Sequence, residues 1–261
     1  MGPLVLTYHA DVVWVSDITS RAYRSVHKLL HTSTPRVIVH TADYRARCGD
    51  YGRRIEVVPP PGTDFESPRD IVTRKDSRFR VLFVGQLRPY KGVSLMLSVA
   101  SQLPNVDFVV CGVGRLEREL KMRFLKLPNV QFLGQLSLSE LLREYSRAHV
   151  VCLPSVSTME AYGVALLEGA TFGAVPVASD LPGVRENVAL LGGSAFRVGD
   201  RSDLYTKLRA LAASPAEWWA QATECRQRAL RYSETHTVAW HAEEHERIYL
   251  DAIASTRASV T

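Results

Sequence analysis

The sequence has few cysteines and no long hydrophobic run, and both absences narrow the class of protein. Its 261 residues include 4 cysteines, without a CxxC pair or a histidine at metal-ligand spacing. We therefore interpret these as reduced thiols of a cytosolic protein: Cys48, Cys111, Cys152 and Cys225. No apolar run approaches the roughly 20 residues that span a bilayer, and we recognise no signal peptide after Met1.

Runs of basic residues interleaved with aromatic side chains are also missing, although the chain is basic overall. Its net charge is +5 and its pI is about 9.1. Without side chains that would stack on bases, we expect no nucleic-acid partner. A phosphorylated substrate or an anionic membrane suits the charge equally well.

One basic segment bears on the membrane question. A helix is predicted over residues 18–30, where apolar positions alternate with cationic ones: Arg21, Arg24, His27, Lys28 and His31. Such a helix would suit weak contact with an anionic membrane. Alternatively, its basic residues form the solvated face of a core helix.

What the sequence does contain is a regular alternation of short apolar runs and amphipathic segments. Such alternation predicts an α/β fold with parallel strands and crossover helices. Strands are predicted at 4–8, 36–40, 55–58, 79–84, 107–111, 130–133, 149–153 and 175–179. Helices are predicted at 93–101, 116–124 and 164–172, and one opens near Ser139 with Ser137 or Ser139 as its cap. Beyond residue 179 the chain is predicted to be mostly helical.

A run of three prolines and a glycine, residues 59–62, interrupts the alternation because proline and glycine end regular elements. We predict a partial first domain over 1–62, a linker over 63–78, a Rossmann-like domain over 79–215 and C-terminal helices over 216–261. About three strands alone bury little apolar area, so the first domain either packs on the larger one or is a piece of a fuller domain. The final helices either cross back to the first domain or pack on their own.

Ligands of open parallel sheets bind at the loops that follow the strands, and the first such loop of the larger domain is unusual. Gly85 stands directly at a strand end, where a ligand can approach the backbone closely. Arg88 and Lys91 then supply two cations that suit a diphosphate. The alternative is a solvated loop before a helix.

A second loop, residues 154–163, leads into a predicted helix. Glu160 precedes the helix start, where free backbone N–H groups attract phosphate. Glu168 lies within the helix, where it could accept two ribose hydroxyls or simply face solvent. Two further loops, 112–114 and 179–186, are interpreted as tight structural turns.

Together these motifs resemble glycosyltransferase family 4. Glu160 and Glu168 match the Glu-x7-Glu of that family within residues 154–183. Four further motifs match in order: Val84-Gly85 with Lys91-Gly92, Gly112-Val113-Gly114, Phe132-Leu133-Gly134 and Pro154-Ser155. The resemblance is dense over 79–213 and looser at 7–11 and 57–64. Three residues depart from the family pattern. Gln86 replaces the usual Arg, Ala161 the usual Gly, and Gly169 the usual Ala.

The resemblance implies a GT-B fold, with one complete Rossmann-like C-terminal domain and a partial N-terminal one in which the chain begins. It implies that a hexose passes with retention from a UDP- or GDP-sugar to a glycan or lipid-linked acceptor, in polysaccharide biosynthesis and without a metal. Its catalytic residues would be Glu160, Lys91 and His9. Its donor-binding residues would be Glu168, Arg88, Gly85, Tyr162, Gly163, Val164 and Leu133.

The resemblance also suggests a cytoplasmic protein, peripheral at the inner face of the membrane. Two alternatives remain open for the activity. The chain could bind a nucleotide sugar without transferring it, because the N-terminal half is incomplete. It could also be a GT-B epimerase or hydrolase.

Overall fold

The computed structural model describes residues 4–9, 36–48, 54–68 and 71–258. Within these ranges the strands form two separate sheets, one of three strands and one of six, and all pairings are parallel. The predicted helix at 18–30 and its basic side chains lie outside the described residues. No helix of the described part is long and apolar enough to cross a bilayer.

The smaller sheet has the order β1-β2-β3, with β1 (Val5–Tyr8), β2 (Arg36–Val39) and β3 (Arg54–Val57). All three strands were predicted. The central strand β2 is buried along its whole length. A helix that the sequence did not predict, α1 (Ala42–Cys48), follows it. Its pattern gave no signal because Tyr44 is its one buried residue among those whose burial is described.

The larger sheet has the order β6-β5-β4-β7-β8-β9. This is the 3-2-1-4-5-6 order of a doubly wound dinucleotide-binding fold. Its strands are β4 (Phe79–Val84), β5 (Val106–Cys111), β6 (Val130–Gly134), β7 (Val150–Leu153), β8 (Val175–Ser179) and β9 (Ser194–Phe196). The sequence analysis missed β9, which has three residues and follows a pair of glycines.

Eight helices accompany or follow this sheet in the described residues: α2 (Val93–Ser98), α3 (Glu117–Phe124), α4 (Leu138–Arg147), α5 (Val164–Thr171), α6 (Val184–Leu191), α7 (Arg201–Ala213), α8 (Pro215–Thr235) and α9 (Val238–Ala258). Ser137 caps α4 through a reciprocal capping box with Glu140. Helix α6 lies in the stretch predicted to be mostly helical, but its start was interpreted as a plain turn, and Gly183 there has φ of 79°.

The segment at 63–78, predicted as a linker, packs on the larger domain. Its short 3-10 helix, Ile71–Arg74, buries Ile71 and Val72 in the main core. A hydrogen bond of 3.0 Å joins the hydroxyls of Thr63 and Thr171. These contacts hold the described parts of the segment against the larger domain.

The last helix, α9, contacts the smaller sheet. Ile248 is fully buried in a cluster with Ile38 and Val58. Near its end, the hydroxyl of Ser255 accepts a 3.1 Å hydrogen bond from Arg36. The chain therefore returns to its first sheet after completing the second.

Candidate functional site

The loops after β4 and β7 meet where the order of the larger sheet changes direction. These two strands are neighbours, through Val81 with Val150, although two other strands lie between them in sequence. Gly92 in the first loop is packed so closely that an added Cβ would lie 1.9 Å from the carbonyl oxygen of Pro154 in the second. Such a switch point is where open α/β sheets bind ligands.

The structure brings Lys91 and Glu160 together at this point. Lys91 Nζ lies 2.6 Å from Glu160 Oε2, and the hydroxyl of Ser155 donates to the same oxygen at 3.0 Å. Ser155 is fully buried and Glu160 is 7% exposed. Charge-assisted bonds in so dry a setting are strong. Lys91 and Glu160 thus occupy a defined geometry, and Ser155 is a partner whose role the sequence alone did not reveal.

Helix α5 begins beside this ion pair, at Gly163. Gly163 has φ of 77°, and no side chain among the described residues caps the helix start. The backbone N–H of Leu166 donates to the carbonyl oxygen of Gly163 at 2.9 Å, which among the described residues leaves those of Val164 and Ala165 for an anion. Asn187 holds the turn by donating to the carbonyl oxygens of Tyr162 and Gly163, at 3.0 and 3.2 Å. The sequence analysis did not single out Asn187.

Glu168, one turn into α5, is half-buried and held on one side. The hydroxyl of Tyr145 donates to Glu168 Oε2 at 2.5 Å. Tyr145 is fully buried, and burial followed by the neighbouring Glu168 raises its pKa well above the ordinary value. The phenol therefore stays protonated as a donor. Glu168 Oε1 has no partner among the described residues, so it is available to a ligand.

Two cavities lie on either side of Val84. The first, of about 420 Å³, is formed by the loops after β4, β5 and β6 and includes Gly85, Gly112 and Gly134. The second, of about 400 Å³, includes Lys91 and Glu160. It also includes the start of α5 at Tyr162, Gly163 and Val164. A ligand passing over Val84 could occupy both.

Three of the predicted donor-binding residues line neither cavity: Glu168, Arg88 and Leu133. The side chain of Arg88 is exposed, and neither cavity includes it. Leu133 packs against the main hydrophobic core. Of the two cations in the loop after β4, Lys91 lines the second cavity and Arg88 lines neither.

His9 reaches the second cavity from the smaller sheet, at the end of β1. Its Nδ1 lies 2.8 Å from His40 Nε2. His40 Nδ1 in turn lies 3.0 Å from the carbonyl oxygen of Val58. Both histidines line the cavity together with Lys91 and Glu160. The cavity is thus closed by residues of both sheets.

Reciprocal hydrogen bonds between α1 and α6 hold the smaller sheet against the larger domain. In each direction, a carboxylate accepts from backbone N–H groups at the start of the other helix. Glu186 accepts hydrogen bonds from the backbone N–H groups of Ala42 and Asp43 at the start of α1. Asp43 accepts one from the backbone N–H of Gly183 at 3.1 Å. The predicted turn at 179–186 is therefore also a contact between the domains.

The polar groups of the site suit an anion. Among the described residues, no group of three or more His, Cys, Asp or Glu is arranged to hold a metal ion.

Burial raises the pKa of the Cys111 thiol to about 12. Cys111 is a free thiol, as are Cys152 and Cys225. None of the three is ionised near neutral pH, since burial also raises the pKa of the other two thiols.

Comparison with known proteins agrees with this geometry. The family model for glycosyl transferases group 1 matches residues 64–230. The chain belongs to this family. It is 29% identical over 194 residues to D-rhamnosyltransferase WbpZ of Pseudomonas aeruginosa, covering 69% of this chain and 49% of WbpZ. The chain thus spans about half the length of the curated relatives it matches.

Solved structures show the same fold. Sucrose-phosphate synthase from Thermosynechococcus elongatus superposes with a TM-score of 0.80 at 20% identity, over 96% of this chain and 68% of that one. HepE of Anabaena, solved in complex with UDP-glucose, gives 0.72 at 19% identity, over 98% of this chain and 72% of that one. The α/β fold with its two parallel sheets is therefore of GT-B type, as predicted.

Proposed function

We propose that this chain is a retaining glycosyltransferase of family 4 that moves a hexose from a UDP- or GDP-sugar to a glycan or lipid-linked acceptor. The observation that carries the proposal is the Lys91–Glu160 ion pair of 2.6 Å beside the open start of α5. It stands at the sheet position where a nucleotide is expected. Family membership and the UDP-glucose complex of the similarly folded HepE support it.

In this proposal the donor lies across Val84. The base occupies the first cavity against the glycine loops, and the free Glu168 Oε1 accepts ribose hydroxyls. The diphosphate meets the start of α5 and Lys91. The hexose then lies in the second cavity, between Glu160 and His9.

The chemistry follows from where charge develops. Breaking the sugar–phosphate bond leaves positive charge on the sugar and negative charge on the diphosphate. Lys91 and the N–H groups at the start of α5 stabilise the diphosphate, and they are held in place before the reaction. The acceptor attacks from the face that the diphosphate leaves, and its hydroxyl proton passes to the leaving phosphate, so the configuration is retained. These groups meet the diphosphate charge without a metal ion.

We further propose that the protein works in polysaccharide biosynthesis in the cytoplasm, with its acceptor at the inner face of the membrane. The similarity to WbpZ, a D-rhamnosyltransferase, agrees with a sugar-transfer role. The basic surface, with a net charge of +5, suits an anionic membrane as well as a phosphorylated substrate.

The test is calorimetry with UDP- and GDP-sugars, followed by a turnover assay with glycan and lipid-linked acceptors. We expect binding of one donor class, and a product with the anomeric configuration of the donor by NMR. An inverted product would refute retention. Binding without transfer would support the binding-module alternative, and free sugar or an epimer formed without an acceptor would support a hydrolase or epimerase. Activity that EDTA abolishes and a divalent ion restores would refute the metal-free mechanism.

A further inference from the structure

His9 and His40 form a hydrogen-bonded chain that ends on a backbone carbonyl. The two rings approach to 4.9 Å between centroids. His9 Nδ1 lies 2.8 Å from His40 Nε2, and His40 Nδ1 lies 3.0 Å from the oxygen of Val58. His40 is 9% exposed, whereas His9 is exposed at the second cavity. Among the described residues, each ring nitrogen but one therefore has a partner, and the exception is His9 Nε2, on a ring that lines the cavity.

The carbonyl of Val58 decides where the hydrogens of this chain lie. A carbonyl oxygen only accepts, so His40 Nδ1 must carry a hydrogen. In a neutral ring His40 Nε2 is then an acceptor, and His9 Nδ1 must be the donor to it. His9 Nε2 is left without a hydrogen. The neutral pair thus offers the cavity a hydrogen-bond acceptor.

One added proton reverses the character of His9 Nε2, wherever the proton resides. If His40 holds it, His40 Nε2 donates to His9 Nδ1, and the neutral His9 must carry its hydrogen on Nε2. If His9 holds it, both nitrogens of His9 carry hydrogens. In either case His9 Nε2 changes from an acceptor to a donor.

We propose that His40 is a positioning residue, which fixes the tautomer of His9 and makes the pair a single proton-sensitive unit at the donor site. The proposal rests on the proposed function for the identity of the ligand, a hydroxyl of the transferred sugar that donates to His9 Nε2. Uptake of one proton removes that acceptor. Donor binding should therefore weaken under mildly acidic conditions.

The surroundings of the pair favour its neutral form near neutral pH. Burial lowers the pKa of His40; the carbonyl of Val58 opposes this, and the neighbouring His9 and His245 lower it further. His245 and His241 belong to α9, with their rings 4.4 Å apart between centroids. On the cavity side, Lys91 and Glu160 face the pair, and they largely neutralise each other.

Two variants of His40 separate its two hydrogen bonds. The amide nitrogen of asparagine can replace Nδ1 and donate to Val58, but asparagine is too short to accept from His9. The amide oxygen of glutamine can replace Nε2 and accept from His9. We therefore expect His40→Gln to keep the tautomer of His9 and His40→Asn to release it to the Nε2–H form that free imidazole prefers.

The measurement is ¹⁵N NMR of the histidine-labelled full chain, with His9 assigned by the signal lost in His9→Gln. In the wild-type protein at pH 7.5, we expect hydrogen on His9 Nδ1 and none on Nε2. In parallel, KM for the donor should rise about tenfold in His40→Asn, since one hydrogen bond is lost, and stay near the wild-type value in His40→Gln. Wild-type His9 with its hydrogen on Nε2, or the same tautomer in both variants, would overturn the proposal.

The design keeps this proposal separate from the proposed function. The tautomer is measured without a donor or turnover, so a protein that binds no nucleotide sugar would refute the proposed function alone. Thermal unfolding shows whether each variant folds. If His40→Asn does not, a pH titration of the wild-type protein decides: His9 Nε2 must gain its hydrogen at the same midpoint at which the pair takes up a proton. Different midpoints would refute the coupling.

Discussion

Lys91 and Glu160 are 69 positions apart in the chain, yet Lys91 Nζ and Glu160 Oε2 lie 2.6 Å apart. Each follows a different strand, and the two strands are neighbours only because the order of the sheet changes direction between them. Ser155 donates to the same carboxylate oxygen. The ion pair is therefore a product of the topology, and it is where changes in charge should affect activity most.

Removing either charge of this pair should impair transfer more than binding. We expect Lys91→Met and Glu160→Gln each to lower kcat about 100-fold, the typical effect of losing one preorganised electrostatic contact. Because the two act as a unit, the double variant should be little worse than the poorer single variant. Steady-state kinetics and thermal unfolding measure this. Lys126→Met, which removes an exposed cation elsewhere, is the control. If the losses of kcat in the two single variants multiplied in the double variant, Lys91 and Glu160 would act independently, contrary to this prediction.

For Arg88, the sequence and the structure predict different effects of a substitution on donor binding. If it binds the diphosphate, as the motif suggested, Arg88→Met should raise KM for the donor by orders of magnitude. Its side chain is exposed and lines neither cavity. An exposed charge contact contributes up to about 1 kcal/mol, so we expect a change below about fivefold. Donor titration by calorimetry gives the same comparison without turnover.

The hydrogen bond from Tyr145 to Glu168 predicts a defect in donor binding. Tyr145→Phe keeps the ring that stacks on Phe172, with centroids 6.2 Å apart, but removes the donor to the carboxylate. Glu168 would lose its fixed orientation, and we expect KM for the donor to rise about tenfold with kcat nearly unchanged, as for one bond to a charged group. Ser146→Ala removes a hydroxyl from the next position of the same helix and should leave KM unchanged. A fall in kcat alone would contradict this role.

The sequence predicted eight of the nine described strands, and the two loops that carry Lys91 and Glu160, because each of these has a local signal. Gly85, Lys91, Glu160 and Glu168 lie next to strand ends or helix starts that hydrophobic periodicity places well. Their partners have no such signal. Tyr145 looks like an ordinary core residue of an amphipathic helix, and it becomes a partner of Glu168 only through the packing of α4 on α5.

The relation between the two sheets was also beyond local reasoning. Glu186 bonds to the start of α1 across 144 positions, and Ile248 packs on Ile38 across the length of the chain. Neither contact follows from periodicity, because periodicity indicates single elements and not which of them touch. The seven-residue α1 has a single buried residue among those described, so its sequence carried no helix signal.

Gly169, where the resembled family usually has alanine, offers a test of core packing. An added Cβ would lie 2.2 Å from Val151 Cγ2 on β7, so α5 and the sheet are in close contact there. We expect Gly169→Ala to lower the free energy of unfolding by about 2 kcal/mol through overpacking. Urea unfolding measures the loss.

A compensating change makes this test specific. Val151→Ala alone should also destabilise the protein, by roughly 2 kcal/mol, because it leaves a cavity. In the double variant the new methyl group enters the space that the valine vacates. We therefore expect the combined loss to be clearly smaller than the sum of the single losses. Additive losses would show that the two positions do not share one contact.

His149 predicts a loss of stability in acid. The ring is 7% exposed, and its Nδ1 accepts a 3.2 Å hydrogen bond from the backbone N–H of Arg80. Burial, and next the charge of Lys75, lower its pKa from 6.5 to about 4. Between about pH 6.5 and about pH 4, the ring is therefore protonated in the unfolded chain but still neutral in the folded protein. Above pH 6.5 the ring is neutral in both states and does not change the free energy of unfolding. As the pH falls from about 6.5 to about 4, the free energy of unfolding decreases by up to about 3 kcal/mol.

His149→Asn provides the matched comparison, because the asparagine oxygen can accept from the Arg80 N–H in place of Nδ1 but does not titrate. Urea unfolding of both proteins between pH 4 and pH 7.5 should show a steeper decline for the wild type. The variant should keep part of the decline, since burial also lowers the pKa of His40 and His241. Parallel curves for the two proteins would mean that His149 is protonated as readily in the folded protein as in the unfolded chain. Its tilted ring contacts with Phe79 and Trp218, at 4.8 and 4.7 Å between centroids, would then accommodate the charge.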